Sequence, residues 1–173
     1  ELINKKIDIA VHALKDLPSI ETERLITNCF LERNDPREIL ISKNNLSFQK
    51  LNKDSIVGTS SFRREFQLKR IRNDLKYKLI RGNVDTRIHK LEKGEYDAII
   101  LSKAGVDALN LQHKISQEFN VDELIPCAGQ GIIAIQCRED DNEIKKLLEN
   151  INDQETRTVA KAEREVLKVL EGD

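Results

Sequence analysis

The chain contains no methionine and no tryptophan, and only 4% of its 173 residues are aromatic. So few rings leave no base-stacking platform, and no RNP-like or helix-turn-helix signature is present, so nucleic acid is excluded as the partner. Long apolar runs are missing too. None approaches the roughly 20 residues that span a bilayer, and no signal-peptide pattern is visible, so a cytoplasmic protein with no membrane partner is expected. Cys29, Cys127 and Cys137 are odd in number and widely spaced. They lack the C-x-x-C spacing of zinc or redox sites and suggest reduced thiols rather than a disulfide framework. His12, His89 and His113 are scattered, so no metal is expected, and His12 reads as a hydrogen-bonded strand residue. No P-loop, G-x-S-x-G or nucleophile–base pair is visible. A net charge of −1 gives no global pull towards a polyanion. Methionine is missing even at the start, "ELINKK", which suggests a piece of a longer chain.

With 39% hydrophobic and 34% charged residues, the composition is that of a globular chain at the polar end of the range. Apolar stretches at 6–13, 37–43, 55–60, 77–82, 96–102 and 131–138 predict strands, and 62–71, 84–94 and 103–111 predict short helices between them. This alternation argues for an α/β fold with a largely parallel sheet. In the first strand Ile7, Ile9, Val11 and Ala13 alternate with Asp8, Ala10 and His12, the pattern of one buried face. A long helix closes the chain from Asp153, a candidate N-cap, with Val159, Ala162, Val166 and Leu170 on one face. The polar, turn-rich stretch 42–54 is the best candidate for a linker.

Charge is unevenly spread. Between Arg63 and Lys93 basic residues far outnumber the acidic Glu65, Asp74, Asp85 and Glu92, which points to an anionic ligand for that part of the chain. In "VGTSSFRRE" (57–65) a strand ends at Gly58 and small hydroxyl residues lead into a helix whose free N–H groups suit an anion. Arg63 and Arg64 in its first turn oppose the helix dipole, a violation that makes sense if an anion is held there. In "LIRGNVDTR" (79–87) a second strand ends at Arg81, Gly82 and Asn83 turn the chain, and Arg87 follows in the next helix. Both arginine pairs lie past the carboxyl ends of strands, where open sheets bind ligands. The arginine fork suits carboxylates, so these four suggest a ligand with several. In "IPCAGQGIIAIQ" (125–136), Gly129 and Gly131 flank Gln130 before an apolar strand and allow a tight turn or a close approach to a ligand. Finally, "DIAVHALKDLPS" (8–19) sets Lys15 and Asp16 side by side at the end of an apolar strand.

Taken together, "VHALKDLP", "GTSSFRR", "RGNVDTR", "GEYDAIILSKAGV" and "AGQGIIAIQCR" resemble porphobilinogen deaminase, also called hydroxymethylbilane synthase, in order and spacing across nearly the whole chain. The resemblance implies type II periplasmic-binding-protein-like lobes with mixed, largely parallel sheets. It also implies a partial domain 1 (1–33 and 131–150), a complete domain 2 (37–128) and, at 153–173, the first helix of an α+β domain 3. The implied enzyme is a monomeric transferase that joins four porphobilinogen molecules head to tail with loss of ammonia. It builds on a dipyrromethane cofactor held by a cysteine expected just beyond Asp173, and its partners are porphobilinogen and the growing polypyrrole. Asp16 matches the catalytic aspartate of the K-D-x-P motif, where a carboxylate stabilises a cationic azafulvene. Lys15, Thr59, Ser61, Arg63, Arg64, Arg81 and Arg87 match residues that hold acetate and propionate side chains, and Gln130 matches a residue near the second crossing between domains. Ala13 replaces a family serine and Ala108 a family arginine. No turnover is expected of the 173 residues alone. The alternative is a non-catalytic carboxylate-binding module of the periplasmic-binding-protein type, since lobe architecture by itself does not decide function.

Overall fold

The computed structural model describes residues 1–170. In chain order the strands are β1 (Ile9–Ala13), β2 (Leu25–Phe30), β3 (Glu38–Ser42), β4 (Ile56–Gly58), β5 (Lys76–Lys78), β6 (Ala98–Ser102), β7 (Gln117–Glu118) and β8 (Ile133–Arg138). The helices are α1 (Phe62–Ile71), α2 (Val84–Glu92), α3 (Lys103–Asp107), α4 (Asn142–Glu149) and α5 (Gln154–Val169). Two compact units result, one of Glu1–Asn34 with Cys127 onward, the other of Asp35–Pro126.

The first unit is built on an antiparallel sheet in the order β1-β8-β2. Because side chains alternate along β8, its two faces find different partners. Ile135 and Cys137 pack with Cys29 and with Ile144 and Leu148 of α4, whereas Ala134 and the adjoining Ile132 pack with Leu14, Phe30 and Ala160 of α5. The expected alternation on β1 is there, but its burial is reversed. Ile7, Ile9 and Val11 are 37%, 41% and 61% exposed, while Ala10 and His12 are half-buried. The reason is position, since β1 is an edge strand and the apolar cluster under α4 is formed with β8 and β2.

Helix α5 is also turned relative to its apolar stripe. Asp153 caps it as expected, its Oδ1 accepting the Thr156 N–H at 2.7 Å. The face that is buried carries Thr156, Ala160 and Arg164, and Val159, Val166 and Leu170 are exposed. Polar groups can occupy that face because they are satisfied there: Thr156 Oγ1 accepts the Arg33 N–H, and Arg164 donates to backbone carbonyls. The last three residues of the expected 153–173 helix lie outside the described residues.

The second unit holds a mixed sheet in the order β5-β4-β6-β3-β7. The mixed α/β character agrees with expectation, but parallel pairing is narrower than the βα alternation suggests. It is confined to β5-β4-β6; β3 runs antiparallel to both β6 and β7. All five residues of β3 are buried, which explains its unbroken apolar run. Leu40, Val57 and Ile100 face Leu68 of α1, and Ile39, Ile99 and Leu101 face Ile88 and Leu91 of α2 and Val106 of α3.

Segment 42–54 is no linker. Phe48 and Leu51 are in the core of the second unit, and Arg72 donates to the carbonyls of Phe48, Gln49 and Leu51. Strands β2 and β7 and helix α4 were not foreseen. In β2 a register shift between Thr27 and Cys29 spoils the alternation, and α4 shows only Ile144, Leu147 and Leu148 in an acidic context.

Candidate functional site

In the second unit β4 ends at Gly58, where an added Cβ would lie 2.9 Å from the Tyr96 ring. The chain then turns through buried Thr59 into α1. Thr59 Oγ1 accepts the Ser61 N–H at 3.2 Å, and Ser61 Oγ caps the helix by accepting the Arg64 N–H at 3.4 Å. Both hydroxyls keep their hydrogens to donate elsewhere.

Arg63 and Arg64 find an anion inside the protein. Glu38, the first residue of β3, has a fully buried side chain; its Oε2 lies 2.6 Å from Arg64 Nη2 and its Oε1 pairs with Arg63 Nη2. Arg64 Nη1 also donates to the Ile100 carbonyl at 3.3 Å, and Arg63 to the Ile125 carbonyl. Two cations sharing one carboxylate leave a single net positive charge at this helix start. Sequence reading missed Glu38, whose one signal was a carboxylate opening a strand that is otherwise almost wholly apolar.

The second arginine loop is built on Gly82, whose φ of +117° is open to glycine and strained for other residues. Arg87, half-buried one turn into α2, donates from Nε to the Gly82 carbonyl at 2.7 Å. Burial, and then the neighbouring Arg64 charge, hold its guanidinium below its ordinary value. The two guanidinium groups therefore feel each other's charge, and of the two only Arg64 is paired with a carboxylate. Arg81 is exposed; its carbonyl accepts Lys90 Nζ at 2.9 Å. Among the described residues neither Arg81 nor Arg87 has an ion-pair partner. Thr59, Ser61, Arg63 and Arg64 thus stand on the segment that follows β4, and Arg81 and Arg87 on the loop and helix that follow β5, with Arg87 feeling the Arg64 charge.

In the first unit β1 runs into one 3-10 turn, Leu14–Asp16. Buried Leu14 anchors it, donating its N–H to the Ile132 carbonyl at 2.9 Å. Asp16 is exposed and Lys15 half-buried. Beyond the turn, Arg164 of α5 donates to the carbonyls of Leu17, Pro18 and Ser19 at 3.5, 2.5 and 3.2 Å. The turn of Gly129–Gly131 packs against Leu14. Gly129 has φ +72°, and a Cβ there would meet Leu14 Cγ at 2.8 Å. Gln130 is 1% exposed, and its carbonyl accepts Arg33 Nε at 3.0 Å. Lys15 and Asp16 thus share one turn, and the Gln130 turn packs against its root. Gly129→Ala combines the close contact with a left-handed φ, and it is expected to destabilise the protein by about 1–3 kcal/mol, measured by urea unfolding.

The acetate and propionate groups of a dipyrromethane match this donor set, because arginine forks and free hydroxyl hydrogens are what carboxylates need. Two of the cysteines do not offer an anchor. Cys29 and Cys137 are buried, and burial pushes both thiols up, away from the reactive thiolate. Among the described residues no group of His, Cys, Asp and Glu could hold a metal ion. Nor is any helix there long and apolar enough to cross a membrane.

Residues 1–146 match the family model described as "Porphobilinogen deaminase, dipyromethane cofactor binding domain". The porphobilinogen deaminase of Bacillus cereus (strain B4264) is 47% identical over 172 residues, covering 99% of this chain and 56% of that protein. That of Bacillus subtilis (strain 168) is 44% identical, covering 99% and 55%. The chain therefore spans little more than half the length of these relatives. Among solved structures, a putative methionine-binding lipoprotein of Bacillus subtilis aligns with TM-score 0.56 at 14% identity, covering 90% of this chain and 74% of that one. A periplasmic substrate-binding protein of an ABC transporter from Coxiella burnetii aligns with TM-score 0.55 at 14% identity, covering 94% and 78%. At such identity the likeness is one of fold, the periplasmic-binding-protein type.

Proposed function

Because the chain belongs to the porphobilinogen deaminase family, we propose that the whole protein condenses four porphobilinogen molecules with release of ammonia, and that water then cleaves the finished chain from its primer and supplies the hydroxyl of hydroxymethylbilane. In each condensation the C–N bond of an aminomethyl group breaks and ammonia leaves. A C–C bond then forms to the free α-carbon of the next pyrrole, which gives up its proton. Arg87 carries this reading: a half-buried guanidinium beside Arg64, with no carboxylate of its own among the described residues, is matched to a substrate carboxylate. Arg63, Arg64, Arg81 and Arg87, with Thr59, Ser61 and Lys15, hold acetate and propionate groups and orient the rings. Asp16 places a negative charge where positive charge develops on the substrate as ammonia departs, and it accepts hydrogen bonds from pyrrole N–H groups. Gln130, on its buried turn, completes the set. When bound, a dipyrromethane supplies the pyrrole carbon on which the chain is built, and the same arginines and hydroxyls would hold its carboxylates. We assign α5 to the opening of a third domain and the whole protein to a cytoplasmic, monomeric enzyme of tetrapyrrole biosynthesis.

The test is full-length protein given porphobilinogen, with ammonia and linear tetrapyrrole as readouts. Both are expected. In Arg87→Leu, loss of a charge-assisted hydrogen bond is expected to raise KM about tenfold to a hundredfold. Binding of porphobilinogen by the full-length protein without ammonia release would overturn the enzymatic reading and favour a carboxylate-binding module.

A further inference from the structure

Two consecutive residues of α5, Glu163 and Arg164, reach the two segments of the first unit that the proposed reaction uses. Glu163 accepts the Gly129 N–H on Oε2 at 2.7 Å and pairs through Oε1 with Arg33 Nη1 at 2.6 Å. Arg33 Nη2 lies 3.2 Å from Oε2, so the pair is two-pronged, and Arg33 Nε holds the Gln130 carbonyl. Carboxylate and guanidinium together grip two peptide groups of one turn. That turn lies against Leu14, the first residue of the turn that carries Lys15 and Asp16. Arg164, one position on and so pointing about 100° away around the helix, holds the three carbonyls that follow Asp16.

We infer that Glu163 is a positioning residue for the reaction: through Gly129 and Leu14 it sets where the Asp16 carboxylate stands. The inference rests on the catalytic reading of Asp16 given above. Its physical basis is that a short exposed turn has little to hold it in place by itself. The Asp16 turn gains rigidity from a buried leucine wedged under a clamped glycine on one side and from Arg164 on the other. The side chains that take substrate carboxylates stand mainly on the second unit, so loosening this clamp affects the chemical step rather than substrate affinity.

The experiment uses full-length protein, with kcat expressed per folded molecule well below the unfolding midpoint, and amide hydrogen exchange read over 12–19 and 127–131. Glu163→Ala is expected to lower kcat about ten- to hundredfold, the cost of misplacing a reacting group by about 1 Å. KM for porphobilinogen is expected to stay within about twofold, because every carboxylate-binding group except Lys15, which shares the Asp16 turn, stands on the second unit. Exchange is expected to quicken at both turns. Glu163→Gln keeps an acceptor for the Gly129 N–H but loses the charge, so it is expected to recover to an intermediate kcat, a neutral partner holding that N–H about half as strongly. If the alanine variant fails to fold, the glutamine variant decides alone: a lowered kcat with faster exchange at 127–131 supports the inference, and an unchanged kcat overturns it. A normal kcat in Glu163→Ala, or a change confined to KM, also overturns it. The reading beneath it fails separately, if Asp16→Ala retains turnover. An inactive Asp16→Ala beside a fully active Glu163→Ala sinks the positioning role alone.

Discussion

Replacing Asp16 with alanine in the full-length protein is expected to cut porphobilinogen turnover by about a hundred- to thousandfold, the usual cost of removing one group aimed at developing transition-state charge. The fold should scarcely notice. Asp16 is exposed at the end of its turn, and the turn is held by Leu14 below and by Arg164 on the carbonyls beyond it. An unchanged unfolding midpoint with lost turnover would therefore separate chemistry from folding. Asp16→Asn sharpens the test, since it keeps the shape and hydrogen-bond acceptor and removes only the charge. If charge stabilisation is the main task, asparagine falls nearly as far as alanine. Near-normal turnover in either variant removes Asp16 from the mechanism. KM is expected to move much less than kcat, because the binding of carboxylates is assigned to the arginines.

The largest effect on stability is expected at Glu38. Glu38→Gln leaves Arg63 and Arg64 facing a neutral amide where a fully buried carboxylate had paired with both. Breaking a buried ion pair from one side costs about 3–5 kcal/mol, because the charge left behind is desolvated without compensation. The loss should appear as a fall in the urea midpoint at unchanged m-value. Removing the carboxylate and a cation together, as in Glu38→Leu with Arg64→Met, is expected to regain part of that loss, since only the partly exposed Arg63 is then left without its carboxylate. A loss below about 1 kcal/mol in Glu38→Gln would show that the arginines are held by their carbonyl contacts instead. Glu38 also changes what the arginine pair means. The dipole violation read from the sequence is resolved first by an internal carboxylate, so in the proposed function a substrate carboxylate would be left to the remaining net charge and to Arg87.

Much of this was legible along the chain because it depends on neighbours a few residues away. Ser61 and Asp153 cap their helices as their positions before the first turn suggest. Gly82 and Gly129 stand where the backbone is left-handed. Strands β3, β4, β6 and β8 lie within the apolar stretches that announced them, whereas β5 starts one residue early and stops at Lys78, well before the end of its 77–82 stretch. Strand β5 thus ends short of the expected Arg81, and Arg87 in the helix beyond it feels the charge of Arg64.

What the sequence by itself determined was therefore the local grammar, namely the βα alternation, the caps, the turn glycines and the motif series that marks the family. Only the tertiary structure decided which faces are covered and who holds whom. Arg63 meets Glu38 across 25 residues, Glu163 meets Arg33 across 130, and Arg164 meets Leu17 across 147. Edge position exposes Ile9 and Val11 despite their faultless alternation, and hydrogen-bond partners bury Arg164 and Thr156 where apolar valines stay outside. Periodicity states that an element has two faces, but burial and pairing depend on what the rest of the chain lays against each one, and that is a property of contacts distant in sequence.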